Sequence, residues 1–277
     1  MGILEEMRDL LKSIDANVAK IVNQNPDPPI EKDWPNKPAN FRTLSESYCS
    51  GLIDGQYGDD WIPNGDGWKI VNNVPPGTIY PPDYPPFSNT PRGYSLNGTG
   101  CYDFVYPRGM RLGTAPSTIY FGYGGNGYEA LWTHEVYFGA VFKMVKPFDL
   151  NAVGNKLMFI FNGGGGSGGQ MFVSVGTDEL LHAWPEFPNL APDQVNWHGT
   201  TKVTQGDWHC LEWYTNQESG EMKIWLDNNL EIHEPNKCKN EVVIDMVQLS
   251  PTFGGNGEEF KRWEDHLLFE KIIICKR

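Results

Sequence analysis

The chain has 277 residues and a formal net charge of −13, with 22 Lys and Arg set against 35 Asp and Glu. That deficit of cationic side chains excludes a nucleic-acid partner, because phosphate neutralisation needs a surplus of them. No apolar run approaches the roughly eighteen residues that would cross a membrane.

The composition also suits a particular class. Gly numbers 31, Pro 21 and Trp 10, and aromatic residues make up 13% of the chain. Many strands, many turns and aromatic surfaces fit that mix. The N-terminus lacks a basic segment followed by an apolar one, so no signal peptide is expected. The five cysteines, Cys49, Cys101, Cys210, Cys238 and Cys275, show no CxxC spacing. At least one is left without an intrachain partner, and a full set of thiols is open to the chain. With six His they form no zinc pattern, so no metal site is expected.

In chain order, residues 1–24 come first as a helix. Ile3, Met7, Leu10, Ile14, Asn17 and Ile21 recur at alternating spacings of four and three, and Leu4, Leu11 and Val18 add a third column. The stripe is wider than a dimer seam needs, so the expectation is a homotrimer through residues 3–21, with Asn17 fixing register. Three heptads are marginal alone and need the following domain to hold the assembly. Residues 25–40 are Pro-rich, cannot continue a helix and read as a stiff linker. Residues 41–277 carry no convincing helix and form the main domain.

Within it, 41–117 is loop-rich, with runs such as Val74-Pro75-Pro76-Gly77. Asp54, Asp59, Asp60, Asn64 and Asp66 cluster there; they offer oxygens to Ca²⁺, but at no EF-hand spacing, and a solvated loop is the simpler reading. Strand patterns then crowd together: Cys101–Val105, Thr118–Tyr123, His134–Val145, Lys156–Phe161, Gln170–Val175, Trp208–Tyr214, Met222–Leu226, Val242–Leu249 and His266–Cys275. Strict alternation over nine such runs predicts an all-β sandwich or jelly roll. Asn162–Gly169, NGGGGSGG, lacks a phosphate-loop ending and reads as a hairpin tip. Residues 176–205 read as one long loop. In residues 206–229 two strands join at Asn216–Gly220, with Met222, Ile224 and Leu226 on one face and Lys223 and Trp225 on the other. Trp208 is expected to lock this hairpin into the core.

Four segments then carry a resemblance. Gly154–Phe161 (GNKLMFIF), Gly206–Tyr214 (GDWHCLEWY), Gly220–Asn228 (GEMKIWLDN) and Pro251–Gly255 (PTFGG) occur in the order found in concanavalin A-like lectin/glucanase jelly rolls. They resemble most the polysaccharide-lyase-like branch found in bacterial and phage proteins. The likeness spans roughly residues 118–277 and departs from the pattern at Asn228, where the family has Gly. It implies a concanavalin A-like β-sandwich that handles glycans.

The chemistry of the residues favours binding over catalysis. The glucanase-type E-x-D-x-x-E strand is absent, as are the Arg-rich, Q-x-H and Tyr-rich strands of alginate lyases. Sugar sites combine aromatic platforms with Asn, Gln, acidic and Lys side chains that fix hydroxyls. Glu135, Tyr137, Lys156, Gln170, Glu212 and Tyr214 are the semi-polar positions on inner-strand candidates, and Trp184 and Trp197, with His198, lie in the long loop that walls the groove. The reading is a non-catalytic, glycan-binding, oligomeric protein with no cofactor beyond an optional Ca²⁺. Its partners are a glycan, its own copies and a capsid or other virion protein. It is expected at a virion or cell-exterior surface after cytoplasmic synthesis, as a phage appendage of decoration or head-fibre type. The alternative is a polysaccharide lyase or other glycan-degrading enzyme of the same fold.

Overall fold

The computed structural model describes residues 34–48, 68–72, 94–97, 101–122, 131–163, 168–188, 196–255 and 259–277. The expected N-terminal helix, the linker up to residue 33, Cys49 and the acidic loop at 54–66 lie outside them.

Two antiparallel sheets face each other. The eight-stranded sheet runs β13 (Asn229–Glu234), β12 (Glu221–Leu226), β11 (Trp208–Asn216), β6 (Glu135–Met144), β15 (Asp265–Lys276), β4 (Cys101–Tyr106), β3 (Tyr94–Asn97). Its eighth strand, β1 (Arg42–Tyr48), also pairs with β15. Strand β15 has room for both because Asp265–Phe269 pairs with β4 and Lys271–Lys276 with β1. The seven-stranded sheet runs β10 (Trp197–Lys202), β9 (Leu180–Glu186), β8 (Gln170–Val175), β7 (Asn155–Asn162), β14 (Ile244–Leu249), β5 (Ser117–Gly122), β2 (Trp68–Asn72). The described parts of 41–117 therefore belong to both sheets of the jelly roll.

Alternation builds the core, as a side-chain period of two requires. Met222, Ile224 and Leu226 of β12 point inward, as do Val136, Phe138, Ala140, Phe142 and Met144 of β6. The indole at the centre of the hairpin is Trp213, which has no exposed surface, and not Trp208. Strand parity decides this: Trp208 shares the outer face with Cys210, Glu212 and Tyr214, and the Lys143 ammonium lies 5.7 Å from its ring centre. Two further corrections concern loops. The segment 176–205 contains β9 and β10 rather than one long loop, and β13 follows the hairpin directly. Residues 34–40, assigned to the linker by their prolines, fold back as two turns, with Lys37 N donating to Trp34 O and Phe41 N to Pro38 O. They pack on the eight-stranded sheet, where Trp34 and Phe41 find apolar partners.

Two polar features of the core stand out. Lys261 is fully buried, donating to Asp265 Oδ2 at 2.6 Å and to the Asp149 carbonyl at 2.7 Å. The rings of Tyr106, Phe148 and Phe253 surround its ammonium at 4.1–4.6 Å. Cys101, Cys210, Cys238 and Cys275 are buried thiols, and burial pushes Cys210 up to about 12.

Candidate functional site

On the outer face of the eight-stranded sheet, strand parity gathers polar and aromatic groups. Strands β6 and β11 are neighbours, with Tyr214 opposite Tyr137, Glu212 opposite Gly139 and Asn216 opposite Glu135. Each tyrosine reaches diagonally to a carboxylate on the other strand. Tyr214 donates to Glu135 Oε1 at 2.8 Å. Tyr137 donates to Glu212 Oε2 in a short hydrogen bond. Burial first, and then the carboxylate partner, push both phenols well above the ordinary tyrosine range. Both therefore stay protonated and act as donors rather than bases.

Residues 34–41 lie across this face. The Asn36 amide N–H donates to Glu212 Oε2 at 3.0 Å, and its side-chain Nδ2 donates to Glu212 Oε1 at 2.9 Å. Trp34 covers Gly139 so closely that a Cβ there would stand 2.5 Å from its ring. Its indole N–H donates to Glu46, which also pairs with Lys271 at 2.8 Å. Phe41 packs against Tyr214, with ring centres 6.0 Å apart. Tyr137 and Glu212 are in consequence fully buried. The expectation that they contact a sugar directly is corrected here: they are foundations, sealed by Asn36 and its neighbours.

Beside this strap a cavity of about 300 Å³ stays open, lined by Asn36, Pro38, Asn40, Phe41, Glu135, Tyr214, Lys223 and Trp225. Strand β12 supplies its rim, because Lys223 lies opposite Tyr214 and Trp225 opposite Glu212. Lys223 is held by Glu221 at 2.6 Å and sits 5.7 Å from the Tyr214 ring centre. The cavity thus offers a half-buried indole, a phenol, an acid, an ammonium and two amides. Among the site residues expected from sequence, Glu135 and Tyr214 line it. Lys223 and Trp225 were legible as the polar face of β12, whereas nothing in the sequence marked Asn36 or Asn40.

The remaining expected residues are elsewhere. Lys156, Gln170 and Trp184 lie on the outer face of the seven-stranded sheet, on the opposite side of the sandwich. There Lys156 Nζ stands 4.0 Å from the Phe172 ring centre, Gln170 bonds Glu186, and Trp184 is the cross-strand partner of Phe172. Burial lowers the Lys156 ammonium below the usual lysine range, against the pull of Glu186. Trp197 packs against the core at the sandwich edge and donates to Glu234 Oε2 at 3.1 Å. It does not wall the groove. The eight residues therefore form no single site.

No protein-family model matches the chain, and no curated protein does. Solved structures match its fold. An alginate lyase, Aly36B, superposes with a TM-score of 0.50 at 12% identity, over 66% of this chain and 82% of that one. The endo-β-1,4-glucuronan lyase of the fungus Trichoderma reesei gives a TM-score of 0.50 at 12% identity, over 85% and 96%. SCLam, a non-specific endo-β-1,3(4)-glucanase of family GH16, gives a TM-score of 0.51 at 11% identity, over 87% and 93%. The fold is the concanavalin A-like jelly roll, the architecture shared by these lyases and this glucanase.

Proposed function

We propose that this protein binds carbohydrate, without processing it, in the cavity between the 34–41 strap and β12. The observation that carries the reading is the lining of that cavity. An indole and a phenol suit the apolar faces of a pyranose, and Glu135, Lys223, Asn36 and Asn40 suit its hydroxyls. The similar structures are glycan-processing proteins of the same fold, which supports a sugar as the ligand. Binding without chemistry is favoured because both tyrosines of the face are engaged with carboxylates and Glu212 is sealed.

The test is a glycan array probed with the full chain. Binding to a subset of glycans is expected, and Trp225→Ala should weaken the best of them at least about tenfold, worth about 1.4 kcal/mol. An array with no hits overturns the reading. Ultraviolet absorbance from unsaturated products, on incubation with polyanionic polysaccharides, would favour a polysaccharide lyase instead.

The finer proposal is an oligomeric virion appendage of phage decoration or head-fibre type. Its support is the heptad stripe at 3–21 and the Pro-rich segment after it. On this reading the N-terminal region joins its copies and a virion protein.

A further inference from the structure

We propose that Asp178, His182 and His198 bind one zinc-class divalent cation at the end of the seven-stranded sheet remote from β2. One ligand atom from each of the three lies within 4.8 Å of the other two. The set comes from three places in the chain. Asp178 is in the turn between β8 and β9, His182 is on β9, and His198 is its direct cross-strand partner on β10. Two imidazoles and a carboxylate are the donors that zinc and its first-row neighbours prefer.

The local geometry favours co-ligation. His182 Nε2 lies 3.0 and 3.1 Å from the two Asp178 oxygens, close to the roughly 3.4 Å that separates ligands on a tetrahedral zinc. The His198 ring meets the His182 ring edge-on with centres 4.2 Å apart, and is otherwise exposed. A rotation of that exposed side chain closes the set around an ion. Asp178 is preset by the turn, since its Oδ1 accepts from the Leu180 amide at 3.1 Å. Gly176 leaves the room: a Cβ there would stand 2.8 Å from both Asp178 Oδ1 and His182 Nε2.

Binding makes His182 adopt the Nδ1–H tautomer, so that the Nε2 lone pair faces the ion. Three protein ligands leave a fourth position open to water or to an incoming oxygen donor. The ion also has a mechanical consequence. Strand β10 is the sheet edge, with an irregular register between His198 and Lys202, and the metal pins it to β9. This site lies on the opposite face from the proposed sugar cavity and stands independently of it.

The test is calorimetric titration of chelator-treated, reduced full-length protein with ZnCl₂. One saturable ion per chain is expected, with a rise in melting temperature. His198→Ala and Asp178→Asn should each weaken binding at least about tenfold, while His233→Ala, a histidine of the other sheet, should leave it unchanged. Gly176→Ala keeps all three ligands and should also weaken it, by crowding them. Absence of saturable binding overturns the proposal. So does zinc binding that survives the Asp178→Asn/His198→Ala double variant.

Discussion

His266 shows how much a single side chain depends on a partner distant in sequence, here Asp103, as well as on its near neighbour Glu264. Its Nδ1 lies 2.9 Å from Asp103 Oδ2 and its Nε2 3.5 Å from Glu264 Oε1. The Asp103 hydrogen bond, then that of Glu264, push the imidazole up to about 10 despite burial, which acts to lower it. The folded chain thus holds a proton that the unfolded chain releases near pH ~6.5. The contribution to stability is complete below that pH and is lost as pH rises through about 10. The ring is a third exposed, so solvent screening limits the effect to about 1 kcal/mol. Urea unfolding between about pH 6 and about pH 10 should show wild type losing about that much relative to His266→Gln. Parallel pH curves for the two proteins would count against the pairing. Neither this pair nor the crossed Tyr–Glu pairs could be assigned from sequence. Glu135, Tyr137, Glu212 and Tyr214 were visible as semi-polar positions, but which acid each phenol meets depends on the register of β6 against β11.

At the scale of elements, the well-read parts are those whose local chemistry is unambiguous. The Asp227–Asn228 turn between β12 and β13 takes positive φ at both residues, 50° and 68°, as a tight hairpin requires. Asp227 is fixed there because its carboxylate accepts from the Cys210 amide at 2.8 Å and pairs with His209 at 2.7 Å. The Pro251–Gly255 turn is read equally well. A Cβ on Gly254 would stand 1.8 Å from the Gly154 carbonyl oxygen, a backbone atom that cannot swing away. Gly254→Ala should therefore destabilise the protein by about 3 kcal/mol or more, measured by chemical denaturation. A loss within about 0.5 kcal/mol of wild type would show that the two turns do not meet. The strands missed after residue 176 have two causes. β10 and β13 end their sheets and carry the polar residues that edges tolerate, so their alternation is faint. β9 contains Pro185, which breaks a strand pattern; the pairing of β10 stops at Ala183, so no partner on that side needs an amide from residue 185.

At the scale of the whole molecule, the proposed trimer makes a direct prediction. Multi-angle light scattering of the full chain should give three times the 31.3 kDa chain mass, and a chain lacking residues 2–23 should give a single copy. A full-length monomer would sink the trimer and leave the sugar cavity untouched. The sequence by itself determined the all-β class, the sandwich, the central hairpin and the face on which most strand residues stand. It did so because turn chemistry and a side-chain period of two are local properties. Only the tertiary structure decided which faces meet. Antiparallel pairing puts Tyr214 on Glu135, from strands far apart in the chain, and His198 beside His182, from two consecutive strands. The same folding laid Asn36 over Glu212 and separated Lys156, Gln170 and Trp184 from the groove. Parity tells a residue which side of its own strand it occupies; it does not say which sheet the strand joins or what will cover that side.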